Sequence, residues 1–192
     1  MALTNRYYGG TSLGAGRTIQ DFSMCDLNGA FVFTAKLRPK GTLVVTFFSP
    51  GGQASTNALR AVQQWGADLG GDKLTVLAVA GGSRADLKAY ADQQGIIGVT
   101  ILVDYEMHET RNWGISHLPS TFVIDGKSGR ILSKVIGDDA GELAAAMDVL
   151  AAQITKIRAA EEAAKKAEEE KKAAEAAAKA AEAAKTAQPV KA

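Results

Sequence analysis

The run Leu43-Val44-Val45-Thr46-Phe47-Phe48 constrains the fold more than any other stretch of the chain. These six consecutive β-branched, aliphatic or aromatic residues do not alternate with polar ones, so neither face of the strand they form meets water. Such a strand is buried on both faces. Pro50-Gly51-Gly52 breaks the run, and Leu59, Val62, Trp65 and Leu69 then recur at helical spacing until Gly70-Gly71. Leu74 to Ala80 is a second buried strand. Ser83 to Gln94 follows as a helix with Ser83 placed to cap it.

The alternation continues to the C-terminal side. Val99 to Val103 is a short strand, and Glu106 to Trp113 forms a helical turn. Thr121 to Asp125 and Arg130 to Ile136 flank Gly126-Lys127-Ser128-Gly129, a hairpin signal. On the N-terminal side, Phe31-Val32-Phe33 is strand-like after the Asp26-Leu27-Asn28-Gly29 turn. Strands alternating with helices and ending in a hairpin predict an α/β domain with a mixed central sheet flanked by helices.

Composition divides the chain into an N-terminal arm at 1–17, a globular domain at 18–157, a charged helix at 158–185 and a disordered tail at 186–192. The 192 residues suffice for one domain with a full core plus an extension. The formal net charge of +1 gives no basic surface for nucleic acid. No apolar run reaches the roughly 20 residues of a membrane span, so no membrane insertion is expected. The first residues lack a basic start and an apolar segment, so a soluble, cytoplasmic protein is expected by default. The Gly9 to Gly16 stretch lacks the Gly-Lys-Ser/Thr ending of a phosphate loop and reads as a flexible arm, in which Tyr7-Tyr8 are candidate anchors.

Cys25 is the single cysteine, which rules out an intramolecular disulfide and any site needing two thiolates from one chain. It reads first as a small apolar residue and second as a redox thiol acting between molecules. Glu106, His108, Glu109 and His117 match no compact metal-ligand spacing. Neighbours such as His108 and Glu109 should point to different helix faces, so these four read as surface residues, with neither metal nor cofactor expected.

Two segments carry a family resemblance. Leu43 to Ser55 resembles the strand, loop and helix start of thioredoxin-like redoxins of the TlpA and AhpC/TSA group, in which an aromatic pair leads to W-C-x-x-C. Laid on that motif without gaps, the tryptophan falls on Gly51 and the two cysteines on Gly52 and Ser55. Trp113 to Asp125 is similar to the family segment ending V-P-T-T-F-L-I-D, whose proline is cis, and Pro119 occupies that place. The resemblance runs from about Phe22 to Gly137 and implies a thioredoxin-like fold.

Family chemistry does not follow the resemblance. Thiol–disulfide exchange needs a thiolate and a second sulfur, and a peroxidatic relative needs a cysteine near this helix start. Gly52 has no side chain, and Ser55 carries an alcohol that stays protonated near neutrality. Gly51, Gly52, Gln53, Ser55, Leu118 and Pro119 are therefore candidates for a degenerate peptide- or anion-binding groove, set against a closed fold that binds nothing there.

At the C-terminal end, Leu143, Met147, Leu150, Ile154 and Ile157 form one apolar stripe that should dock the start of the last helix. Beyond it, Glu161–Lys165, Glu162–Lys166, Glu168–Lys172 and Glu175–Lys179 are i, i+4 pairs in the favourable order. Each contributes about 0.2–0.5 kcal/mol. With alanine between them they can hold a helix in water, roughly 40 Å long at about 1.5 Å per residue. An alanine seam (Ala160, Ala164, Ala167, Ala174, Ala178, Ala181) permits only weak self-association. Three functions are thus expected: a redox-inactive protein-binding adaptor or assembly module that meets another protein through the groove or the C-terminal helix, a residual oxidoreductase or peroxidase-related protein using Cys25 or a partner's thiol, or a structural spacer in a larger assembly.

Overall fold

The computed structural model describes residues 13–186, with side chains through 176. Tyr7-Tyr8, the first half of the glycine-rich stretch, the 187–192 tail and the side chains of Ala178, Lys179 and Ala181 lie outside what is described.

The chain opens with a short antiparallel hairpin, β1 (Ser23–Cys25) and β2 (Phe31–Phe33), joined across the Asp26 turn. Asp26 builds that turn by accepting from the Asn28 and Ala30 backbone N–H groups at 2.8 Å each. A single helical turn, α1 (Thr34–Leu37), leads to β3 (Thr42–Phe47), and all six residues of β3 are buried. The remaining elements are α2 (Gln53–Leu69), β4 (Leu74–Ala80), α3 (Arg84–Gln94), β5 (Thr100–Val103), α4 (His108–Asn112), β6 (Ser120–Ile124), β7 (Ile131–Ile136) and α5 (Ala140–Thr186).

Five strands form the central sheet in the order β5-β4-β3-β6-β7. β3, β4 and β5 are parallel, whereas β6 and β7 run antiparallel to their neighbours. β3, buried along its whole length, sits at the centre of the sheet. Alternate residues feed two cores. Val44, Val76 and Val123 meet Leu59, Val62 and Trp65 of α2, Leu87 of α3, and Leu143, Leu150 and Ile154 of α5. Leu43, Val45, Phe47, Phe122 and Ile124 meet Trp113 and the N-terminal residues Ile19, Phe22 and Met24. Trp113 anchors that second core, with its ring 5.0 Å from Phe47, 5.1 Å from Phe122 and 5.7 Å from Phe22 between centroids.

Local signals act as the sequence implies. Ser83 Oγ accepts from the Asp86 N–H and caps α3, and Gly95 closes that helix in the left-handed conformation. In the β6–β7 turn Gly126 lies so close to the chain at Arg38–Gly41 that any Cβ would overlap the carbonyl oxygens of Gly41 and Arg38.

The boundary between two compact units falls at Ile154/Thr155 within the continuous α5. In the C-terminal unit, Glu162–Lys166 at 3.1 Å and Glu168–Lys172 at 2.6 Å are paired in the expected order. Lys171–Glu175, at 4.0 Å, adds a contact of the opposite order. Among the described residues no helix is long and apolar enough to cross a membrane.

Candidate functional site

The register of β3 against β6 positions the site. Phe47, the last residue of β3, pairs with Ser120, the first of β6. The loop that leaves β3 therefore starts beside the segment that enters β6. That loop is Phe48 to Gly52, and the entering segment is His117-Leu118-Pro119, where the Leu118–Pro119 peptide bond is cis. A buried Thr46–Thr121 hydroxyl contact of 3.1 Å ties the two strands one step further in.

α2 begins immediately after the loop. Gly52 is its N-cap residue with φ −84° and ψ 129°, and no side chain caps the helix. Gly52, Gln53 and Gly51 are exposed. Gly51 adopts φ +86°, a left-handed conformation that disfavours any residue with a side chain. The helix start thus presents the backbone N–H groups of its first turn with positive dipole potential and without a side-chain cap.

Ser55 is buried, and its Oγ accepts from the Ser49 N–H at 3.1 Å. Its hydroxyl closes the loop from within, so it stiffens the groove rather than lining it. Pro119 is buried and Leu118 half-buried, and the Pro119 carbonyl accepts from the Gly137 N–H. His117 is exposed, its Nδ1 2.9 Å from Ser116 Oγ. Below α2, Thr56 Oγ1 and Tyr90 Oη lie 2.8 Å apart, and the Tyr90 ring stacks on Phe48 at 5.8 Å. This polar anchor between α2 and α3 joins residues 34 positions apart and has no local sequence signature.

Cys25 is not at this groove. It ends β1, half-buried, facing a cleft of about 270 Å³ lined also by Phe31, Val103, Tyr105, His108 and Glu109. Asp104, buried at the floor of the cleft, accepts from the Glu109 and Thr110 N–H groups and from Thr110 Oγ1. It thereby holds the first turn of α4 from a position four residues before that helix, which the sequence did not suggest.

His108 and Glu109 require a correction. Their side chains do not point apart: His108 Nδ1 stands 3.4 Å from Glu109 Oε1. Glu106 and Met107 are both left-handed, so α4 begins abruptly at His108, and at its first turn the two side chains can meet. Among the described residues no three His, Cys, Asp or Glu side chains converge as metal ligands do.

Solved structures share this arrangement of strands and helices. A protein assigned as the thiol:disulfide interchange protein DsbE of Chlorobium tepidum superposes with a TM-score of 0.67 at 19% identity, covering 74% of this chain and 99% of its own. A protein assigned as a thioredoxin of Neisseria meningitidis gives 0.59 at 25% identity, with 70% and 90% covered. Peroxidoxin BcpB of Mycobacterium tuberculosis gives 0.59 at 18% identity, with 73% and 97% covered. No curated protein sequence matches significantly. Residues 15–134 match the AhpC/TSA family, and this span contains both the loop at Gly52 and the cis-proline. With Cys25 as its single cysteine, the chain belongs to the AhpC/TSA family as a thioredoxin-like redoxin without the C-x-x-C pair.

Proposed function

We propose that the chain is a redox-inactive, thioredoxin-like adaptor that binds another protein through the groove between the start of α2 and the Leu118–Pro119 loop. One observation carries this reading. The positions that the resemblance assigns to the redox cysteines hold a glycine without a side chain and a serine whose Oγ is committed to the Ser49 N–H. Such a site retains main-chain donors and a shaped edge but has no nucleophile or resolving group. In active relatives the residue before the cis-proline pairs with the substrate backbone, and Leu118 would do so here. The globular region at 18–157 would supply the binding surface, and the helix at 158–185 reach or assembly.

The test is partner capture by the immobilised full chain. Leu118→Asp and Gly52→Trp should each remove the captured protein while leaving the circular dichroism spectrum unchanged. A folded double variant that captures the same partner undiminished would end this reading.

A further inference from the structure

The β1–β2 hairpin offers a second binding surface that shares no residue with the groove. Two backbone bonds set its register: the Thr34 N–H donates to the Phe22 carbonyl, and the Asp26 N–H to the Ala30 carbonyl. In an antiparallel ladder bonded pairs alternate, so Met24–Val32 is the bonded pair between them. Phe31 and Phe33 lie between those bonded pairs and direct their main-chain groups away from β1; because Phe33 is the N-cap of α1, its C=O is taken by the first turn of that helix, which leaves the Phe31 N–H, the Phe31 C=O and the Phe33 N–H as the open edge. Among the described residues no strand pairs with that outer edge.

The side chains add to this open edge. Phe31 and Phe33 lie opposite Cys25 and Ser23 on one face of the hairpin, while Met24 and Val32 pack inward. Phe31 is 65% exposed, Phe33 41% and Tyr105 57%. The two phenylalanine rings are 6.1 Å apart, and Lys36 Nζ stands 4.8 Å from the Phe33 centroid. The cleft beside Cys25 opens between this face and Tyr105, with a volume suited to one or two side chains.

We propose that the outer edge of β2 accepts an extended segment of a partner protein as an added strand. This segment carries apolar side chains at alternate positions and an acidic residue at the Lys36 end. Unpaired main-chain groups supply affinity, and the aromatic face reads every second side chain. The three exposed rings present roughly 300 Å² of apolar surface. That is well below the roughly 800 Å² per partner of a stable dimer, which favours one strand over a second copy of the chain. The ammonium over Phe33 sets the charge of the residue that docks beside it.

The experiment titrates the ¹⁵N-labelled full chain with two blocked hexapeptides, Glu-Phe-Thr-Val-Thr-Val and its reverse, to about 2 mM. The amides of Phe31 and Phe33 should shift with at least one peptide. Phe31→Asp should weaken binding by about tenfold or more. Lys36→Glu should weaken it about threefold and restore binding when lysine replaces the peptide's glutamate. Leu118→Asp should leave it unchanged. The proposal fails if no β2 amide shifts, if the shifts centre on Gly52 and Leu118, or if Lys36→Glu has no effect. It also fails if sedimentation shows a dimer that Phe31→Asp dissociates, since a second copy then holds the edge.

Discussion

Restoring cysteine at positions 52 and 55 together should create a disulfide without moving the backbone. An ideal Cβ placed on Gly52 stands 3.9 Å from the Ser55 Cβ. Disulfides span Cβ separations of about 3.5–4.5 Å, so the sulfurs can close the bridge in place. At φ −84° an L-residue meets no strain, and the new Cβ makes only ordinary contacts of 3.6 Å or more. Closing a loop of about four residues removes on the order of 2 kcal/mol of unfolded-state entropy in the chain-entropy relation. Loss of the Ser55 Oγ acceptor for the Ser49 N–H costs about 1 kcal/mol, but in oxidised and reduced forms alike. Comparing the two forms of one variant therefore isolates the bridge, and oxidation should raise Tm by about 4–8 °C.

The assay uses Gly52→Cys/Ser55→Cys in a Cys25→Ser background, equilibrated with oxidised or reduced glutathione. Thiol titration should count none after oxidation and two after reduction, with the melts separating as stated. The thiol at position 52 sits at a helix N-terminus, so it should be the more acidic of the pair. Two titratable thiols after oxidation, or an oxidised form that melts below the reduced one, would refute the placement of Gly52 and Ser55 on the redox positions.

Two further outcomes test the scaffold. Gly126→Ala should destabilise the domain by about 2–3 kcal/mol in urea unfolding, because its methyl group would overlap the Gly41 and Arg38 carbonyls; an unchanged midpoint contradicts that close approach. Burial holds the Lys134 ammonium below the ordinary lysine pKa. The folded state then releases this proton before the unfolded state does, so the cost of its charge is fully present at neutral pH and fades as pH rises through the folded pKa. Lys134→Met should accordingly melt above the wild type at neutral pH, with a difference that narrows in alkaline buffer. A constant difference would mean that the charge is not responsible.

Elements defined by short-range pattern were legible in the sequence. The apolar run in β3 marked a strand buried on both faces, Ser83 marked the start of α3, and Gly126 to Gly129 marked the hairpin. The cis geometry at Pro119 came through family resemblance, since nothing local to Leu118–Pro119 dictates it. Contacts that depend on tertiary approach were not legible. Thr56 meets Tyr90, and Thr46 meets Thr121, only after the sheet and helices assemble. Asp104 reads as an ordinary polar residue until the left-handed turn at Glu106–Met107 brings the first N–H groups of α4 onto it. The same turn brings His108 to Glu109, against the simple rule for adjacent helical residues. The resemblance assigned Ser55 to a redox position, but the part its hydroxyl plays in closing the loop onto Ser49 was not legible.

The central claim is that a redoxin scaffold persists here without redox catalysis. Its most direct test is turnover of a protein disulfide and of hydrogen peroxide by the purified full chain, with Cys25→Ser alongside. The account predicts that neither protein exceeds the uncatalysed rate. Turnover by the wild type that disappears in Cys25→Ser would contradict it and make Cys25 the reacting group.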